Sequence, residues 1–155
     1  INSLAIQDAF ERADIDARVM TAVPIEAFAE FYSRNKAVSH LNRGKVTIFG
    51  CGMGNPFFST DTAAVLRGAE IGADVVLMAK NIDAIYTDDP RKNPDAKKLS
   101  EVDYDYILKN HLSAIDTCAA SFAMDNHMKL HIFGLDDSEN IYRVIMGEKI
   151  GTIVD

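Results

Sequence analysis

GCGMGNPFFSTD, residues 50–61, stands between an apolar run and a segment with helical spacing. Ahead of it, Val46-Thr47-Ile48-Phe49 reads as a short buried strand; after it, Thr62-Ala63-Ala64-Val65-Leu66 opens a helix. A strand that turns through three glycines into a helix N-terminus presents bare backbone N–H groups and the positive end of the helix dipole, which suits a phosphate. The same loop carries an amide (Asn55), two hydroxyls (Ser59 and Thr60) and a carboxylate (Asp61). Together these point to a nucleotide site.

The common phosphate motifs do not fit. No GK[ST] ending closes the loop, which excludes a P-loop. The glycines run G-x-G-x-G over Gly50, Gly52 and Gly54, with Asn55 where the dinucleotide fingerprint requires Gly. A competing reading is a tight strand-to-helix turn capped by Ser59 or Thr60. The glycines alone leave the two readings level; the added run of Asn, two Phe, Ser, Thr and Asp favours a ligand loop.

Working outward, helix and strand patterns alternate with short connections. Residues 1–14 read as a helix with Ile6, Ala9, Phe10 and Ala13 as its apolar stripe, and 18–22 as a strand. One or two helices are expected over 24–41, carrying Phe28, Phe31, Tyr32 and Val38, followed by a strand at 45–49 and a helix over 62–71. Asp74–Met78 (DVVLM) reads as a strand whose apolar run, Val75 to Met78, is the pattern of burial on both faces. A short strand at 84–86 leads into a polar stretch, 87–98, whose two prolines mark a loop. Residues 103–112 read as helical, and Ile115, Cys118, Ala119, Phe122 and Ala123 share one helical face. A strand at 129–133 ends at Gly134. Ser138 or Asp137 caps a last helix, with Ile141, Val144 and Ile145 inward and Gly147 closing it, before a final strand at 152–154. This order predicts one α/β domain over residues 1–155 with a mostly parallel sheet. Ligands sit at the carboxyl ends of parallel strands. Gly50–Asp61, Lys80–Asn81 and Tyr86–Asp89 all follow strands and are expected to share a rim.

Composition narrows the class. With 155 residues, 48% hydrophobic and 25% charged, the chain has the make-up of a globular domain able to bury a core. Sixteen basic against twenty-three acidic residues give −7 without a basic cluster, which argues against nucleic acid as a partner. No apolar run reaches the roughly 20 residues of a membrane span, and no secretory leader pattern is present. Cys51 and Cys118 lack a CxxC partner and the four histidines have no ligand spacing, so no metal site is expected. Two lone thiols suit a reducing cytoplasm, with Cys51 read as a small buried filler.

The stretches Gly54–Pro90 (GNPFFSTDTAAVLRGAEIGADVVLMAKNIDAIYTDDP), Ala114–Asn126 (AIDTCAASFAMDN) and Arg143–Asp155 (RVIMGEKIGTIVD) resemble the nucleotide-binding core of bacterial UMP kinases, within the amino-acid-kinase superfamily. The resemblance implies a three-layer α/β sandwich, incomplete at its N-terminus, that transfers the γ-phosphoryl of ATP, with Mg²⁺, to UMP to give UDP in pyrimidine nucleotide biosynthesis. Such a transfer relies on positioning and charge neutralisation. By the same resemblance, Met53, Gly54, Asn55, Pro56, Phe57, Phe58, Ser59 and Thr60 embrace UMP. Asp61 and Asp116 organise the reacting phosphates, and Lys80, Asn81, Tyr86 and Asp89 contact ATP. Each has a structural alternative. Both Asp61 and Asp116 begin helical patterns as caps do, and Tyr86 with Asp89-Pro90 reads equally as an edge tyrosine before a turn.

Met53 stands where Thr is common in the family, and Ala84 where Gly is usual, a strained position for Ala if φ is positive there. The family's N-terminal phosphate-binding loops have no counterpart here, so the 155 residues alone are expected to show little or no activity. The resemblance further implies a homohexamer with GTP and UTP as effectors. Gln7 and Glu11 lie where some relatives place basic effector contacts. Phe28, Phe31 and Tyr32 are read as core or subunit contact. Two rivals stand beside this reading: a related kinase acting on a carboxylate or carbamate, and a non-catalytic nucleotide-binding or storage protein of the same fold.

Overall fold

The computed structural model describes residues 1–155, which fall into two units, Ile1–Ala63 and Ala64–Asp155. In the first unit, α1 (Asn2–Arg12) leads to β1 (Ala17–Thr21), β2 (Glu30–Phe31), α2 (Arg34–Leu41), β3 (Val46–Gly50) and the start of α3 (Thr60–Ile71). The sheet order is β2-β1-β3, and both pairings are parallel. The register runs from Ala17 opposite Val46 to Thr21 opposite Gly50, so the carboxyl ends of β1 and β3 finish side by side. Ala17, Val19, Met20 and Ala37 are buried, and Tyr32 meets Phe49 edge-on at 5.5 Å between ring centres.

One expectation for this unit is corrected. The apolar stripe of α1 is not buried: Ile6 is 48% exposed and no residue of the helix is fully enclosed. Of the one or two helices expected over 24–41 the structure forms one, α2. After Pro24, Phe28 N and Ala29 N both donate to Ile25 O, making a single uncontinued turn, and Tyr32 N then donates to Thr21 O at 3.0 Å. That bond draws the chain alongside β1, so Phe31 lies in a strand. Phe28 and Phe31 are exposed, while Tyr32 packs inward.

The second unit holds the rest of α3, then β4 (Val76–Lys80), β5 (Ile85–Tyr86), β6 (Lys98–Leu99), β7 (Glu101–Val102), α4 (Tyr104–Lys109), α5 (Thr117–Asp125), β8 (Leu130–Gly134), α6 (Glu139–Ile145) and β9 (Thr152–Val154). Its main sheet has the order β4-β8-β9-β7, with β8–β9 the one antiparallel pair. β5 and β6 form a separate antiparallel pair in which Tyr86 faces Lys98. Val65, Met78, Ile85, Tyr104, Ile107, Leu130, Ile132 and Val154 form the core, together with the small face of α5, Ala119, Ala120 and Ala123. The fold is thus α/β with mostly parallel strands.

Here too burial departs from the pattern. The strand expected at 74–78 runs from Val76 to Lys80, and its faces alternate: Met78 is buried while Leu77 is 37% exposed. β4 ends the order of its sheet, and successive side chains of a strand point to opposite faces. Cys118 lies on the exposed side of α5, its place in the core taken by Ala120. In α6 only Val144 is enclosed; Ile141 and Ile145 are exposed. The helix is anchored by polar bonds instead, Asn140 Nδ2 donating to Gly134 O and Glu139 N to Asp137 Oδ1.

Candidate functional site

The 50–61 loop leaves β3 beside the end of β1. Ala22 N donates to Gly50 O at 3.2 Å, and Gly54 N to Cys51 O at 3.0 Å. Cys51, Gly52, Gly54 and Phe57 all have positive φ, between 58° and 73°. Only glycine fits at position 54, because a Cβ there would lie 2.8 Å from Ala22 O. At Phe57 the left-handed conformation costs an L-residue roughly 1–2 kcal/mol, and the side chain recovers none of it by burial, being fully exposed. Phe58 is half exposed. Strain of this kind concentrates where ligands are clamped. Cys51 is exposed, which corrects the expectation of a buried filler: it is the first residue past the β1–β3 ladder, where the chain swings out of the sheet.

Of the two cap candidates the structure selects Ser59, whose Oγ accepts from Thr62 N at 3.1 Å while its carbonyl accepts from Ala63 N. Thr60 is thereby left as an exposed first-turn residue, and Asp61 follows it, half-buried, where a negative charge complements the helix dipole. Met53 is half-buried; Asn55 and Pro56 are exposed.

In the second unit, Lys80 closes β4 and its Nζ donates to Ala114 O at 2.7 Å. Two residues on, Asp116 caps α5, Oδ1 accepting from Ala119 N at 2.9 Å. The Lys80 ammonium and the Asp116 carboxylate therefore attach to the same stretch of chain. Asn81 is exposed. Ala84 is fully buried and is not among the residues with positive φ, so its departure from Gly carries no backbone strain.

Tyr86 donates its hydroxyl to both oxygens of Asp83, at 3.0 and 3.2 Å, and Lys98 Nζ lies 3.0 Å from Asp83 Oδ2. Partial burial by itself would raise the Asp83 carboxyl, but the Lys98 ammonium and the Tyr86 hydroxyl hold it below its ordinary value. The bond to Asp83 in turn pushes the Tyr86 phenol up. Asp89 accepts from Arg91 N at 3.0 Å and Arg91 Nε at 3.1 Å, which lowers its carboxyl as well. Beneath this pair of strands, fully buried Thr152 accepts from Ile85 N at 2.8 Å and donates to Leu99 O at 2.5 Å. Asp83, Lys98 and Thr152 were not singled out from sequence. Asp83 lies within the motif that names Tyr86, but its partners are set by strand pairing.

Comparison with known proteins defines the class. Residues 1–134 match the amino acid kinase family, and the chain belongs to that family. Among solved structures it is similar to a UMP kinase from Bacillus anthracis, at 35% identity and TM-score 0.93, over 99% of this chain and 64% of that one. A UMP kinase from Ureaplasma parvum matches at 29% identity and TM-score 0.92, over 99% and 66% of the two chains. A uridylate kinase from Archaeoglobus fulgidus matches at 26% identity and TM-score 0.62, over 77% and 57%. The chain therefore spans slightly less than two thirds of the first two relatives.

Proposed function

We propose that this chain is the nucleotide-binding part of a UMP kinase, catalysing ATP + UMP → ADP + UDP. The observation that carries the reading is the strained, glycine-dependent loop at the end of β3, with its hydroxyls and carboxylate, in a chain 35% identical to a UMP kinase. In this reading residues 53–60 hold UMP, and Asp61 is placed to act on the phosphates. Lys80, Asn81, Tyr86 and Asp89 hold ATP, with Asp116 at its phosphates.

No group of three or more His, Cys, Asp or Glu side chains is arranged to hold a metal ion. In a phosphoryl transfer of this kind Mg²⁺ arrives with the nucleotide, keeps several waters and is bound by one or two carboxylates plus substrate phosphates. Asp116, at the ATP phosphates in this reading, is a carboxylate available to it. Uncovered apolar residues of the first unit, Ile6, Phe28 and Phe31, support a homo-oligomer. GTP and UTP as effectors find less support, since Gln7 Nε2 donates to Glu11 Oε1 at 2.8 Å and neither side chain is cationic. No helix is long and apolar enough to cross a membrane.

Equilibrium binding of UMP, and of aspartate, glutamate and carbamate as alternatives, tests the proposal on this chain, with ADP release as a second readout. UMP binding that N55A and T60A weaken is the expected result. Binding of an amino acid or carbamate in place of UMP would refute it.

A further inference from the structure

The β5–β6 pair is held from two sides. Below, the Thr152 hydroxyl bridges the backbone of both strands. Above, Tyr86 and Lys98 are direct cross-strand partners, and one carboxylate, Asp83, engages both. The turn bearing Asp83 is seated by Gly134: a Cβ on that glycine would come within 3.1 Å of Asp83 Cα. The backbone of the turn is thus fixed before its side chain acts. The far end of the pair is closed as well, Thr87 N donating to Lys97 O at 2.9 Å and Lys97 N to Thr87 Oγ1 at 3.0 Å.

We infer that Asp83 is a positioning residue for the ATP base: it fixes the Tyr86 ring through the hydroxyl and ties it to Lys98, leaving the ring face as the recognition surface. The inference rests on the nucleotide reading above, and it adds a residue that the reading leaves unused. A tyrosine whose hydroxyl is committed to a neighbouring carboxylate recognises a base by its face, and the gain is one of preorganisation. On this view the phenolic oxygen itself is not a ligand contact.

The test is ATP titration of this chain and its D83A, Y86F and D83A/Y86F variants, with UMP titration of each as a fold control. Asp83 Oδ2 lies at an exposed carboxylate, so D83A is not expected to disturb folding. Each single variant should weaken ATP binding roughly tenfold, the scale of one hydrogen bond to a charged group. The double variant should be no weaker than either, because both remove the same link. D83N, which keeps an acceptor for the hydroxyl, should recover part of the loss, and UMP affinity should stay unchanged throughout. Additive losses, or ATP binding unaffected by D83A, would overturn the positioning role and leave the nucleotide reading intact. Failure of the unsubstituted chain to bind ATP would refute the nucleotide reading and the inference with it.

Discussion

Replacing Thr152 with Val removes one hydroxyl from a fully buried position and changes almost nothing in shape. That hydroxyl accepts from Ile85 N at 2.8 Å and donates to Leu99 O at 2.5 Å. Valine satisfies neither, so the buried Ile85 N–H and the half-buried Leu99 C=O lose this partner together. Leaving one such group unpaired costs roughly 1–3 kcal/mol, and the added methyl group returns about 0.8 kcal/mol. The expected net loss is about 1–5 kcal/mol, a large part of a typical domain's stability of about 5–15 kcal/mol. Urea unfolding followed by circular dichroism should show the midpoint falling by about 0.5–2.5 M at an unchanged slope. Hydrogen exchange at the Ile85 amide should quicken by more than at amides of β8. T152S keeps the hydroxyl and loses a methyl, so it should cost only about 1 kcal/mol. A T152V loss below about 0.5 kcal/mol, with Ile85 protection intact, would refute the reasoning, since one unsatisfied buried group already costs more.

Three further outcomes are expected. Gly54→Ala sets a Cβ 2.8 Å from Ala22 O at φ +73°, so it should destabilise the first unit by at least about 1–2 kcal/mol and abolish UMP binding while sparing ATP; calorimetric UMP affinity within twofold of the parent would count against it. The Asp83–Tyr86 link should stabilise the fold only in a pH window. Asp83 is depressed, so its contribution is present above the ordinary carboxylate pKa of about 3.9 and is lost as pH falls below it; Tyr86 is raised, so its contribution is present below about 10 and is lost at higher pH. Urea midpoints of the parent and D83N should accordingly differ at neutral pH and converge at both extremes, and a constant difference would exclude the link as the cause. Both thiols are exposed and should react with a maleimide in the native state, with UMP slowing Cys51 and not Cys118; equal rates with and without UMP would argue against the loop as the acceptor site.

What could be read from sequence was local. The β3–loop–α3 passage was legible because three glycines and a cap residue act through their immediate neighbours, and β8, β9 and α5 followed from short periodic runs. Burial was less legible, because it depends on what lies opposite. Ile6, Leu77, Ile141 and Ile145 have core-like spacing yet stand exposed, and Cys118 yields its place to Ala120. The single turn at Ile25–Ala29 was missed because a backbone bond from Tyr32 to Thr21 overrides its helical spacing. Around Tyr86, the residues that hold the ring come from 15 and 67 positions away in the pairs Asp83–Lys98 and Ile85–Thr152, where no periodicity reaches. The backbone at Ala84, whose identity alone raised the question of strain, was answered only by its φ.

The Ile85–Thr152 bond also sets an order of events in the cell. Its two ends are 67 residues apart, so a ribosome adding about 5–20 residues per second makes the second end roughly 3–13 s after the first. During that interval β5 and β6 can pair with each other but lack the hydroxyl that locks them from below. The nascent chain thus carries an unclamped hairpin until β9 emerges, and any chaperone or nucleotide that engages it earlier meets a looser surface than the finished protein presents.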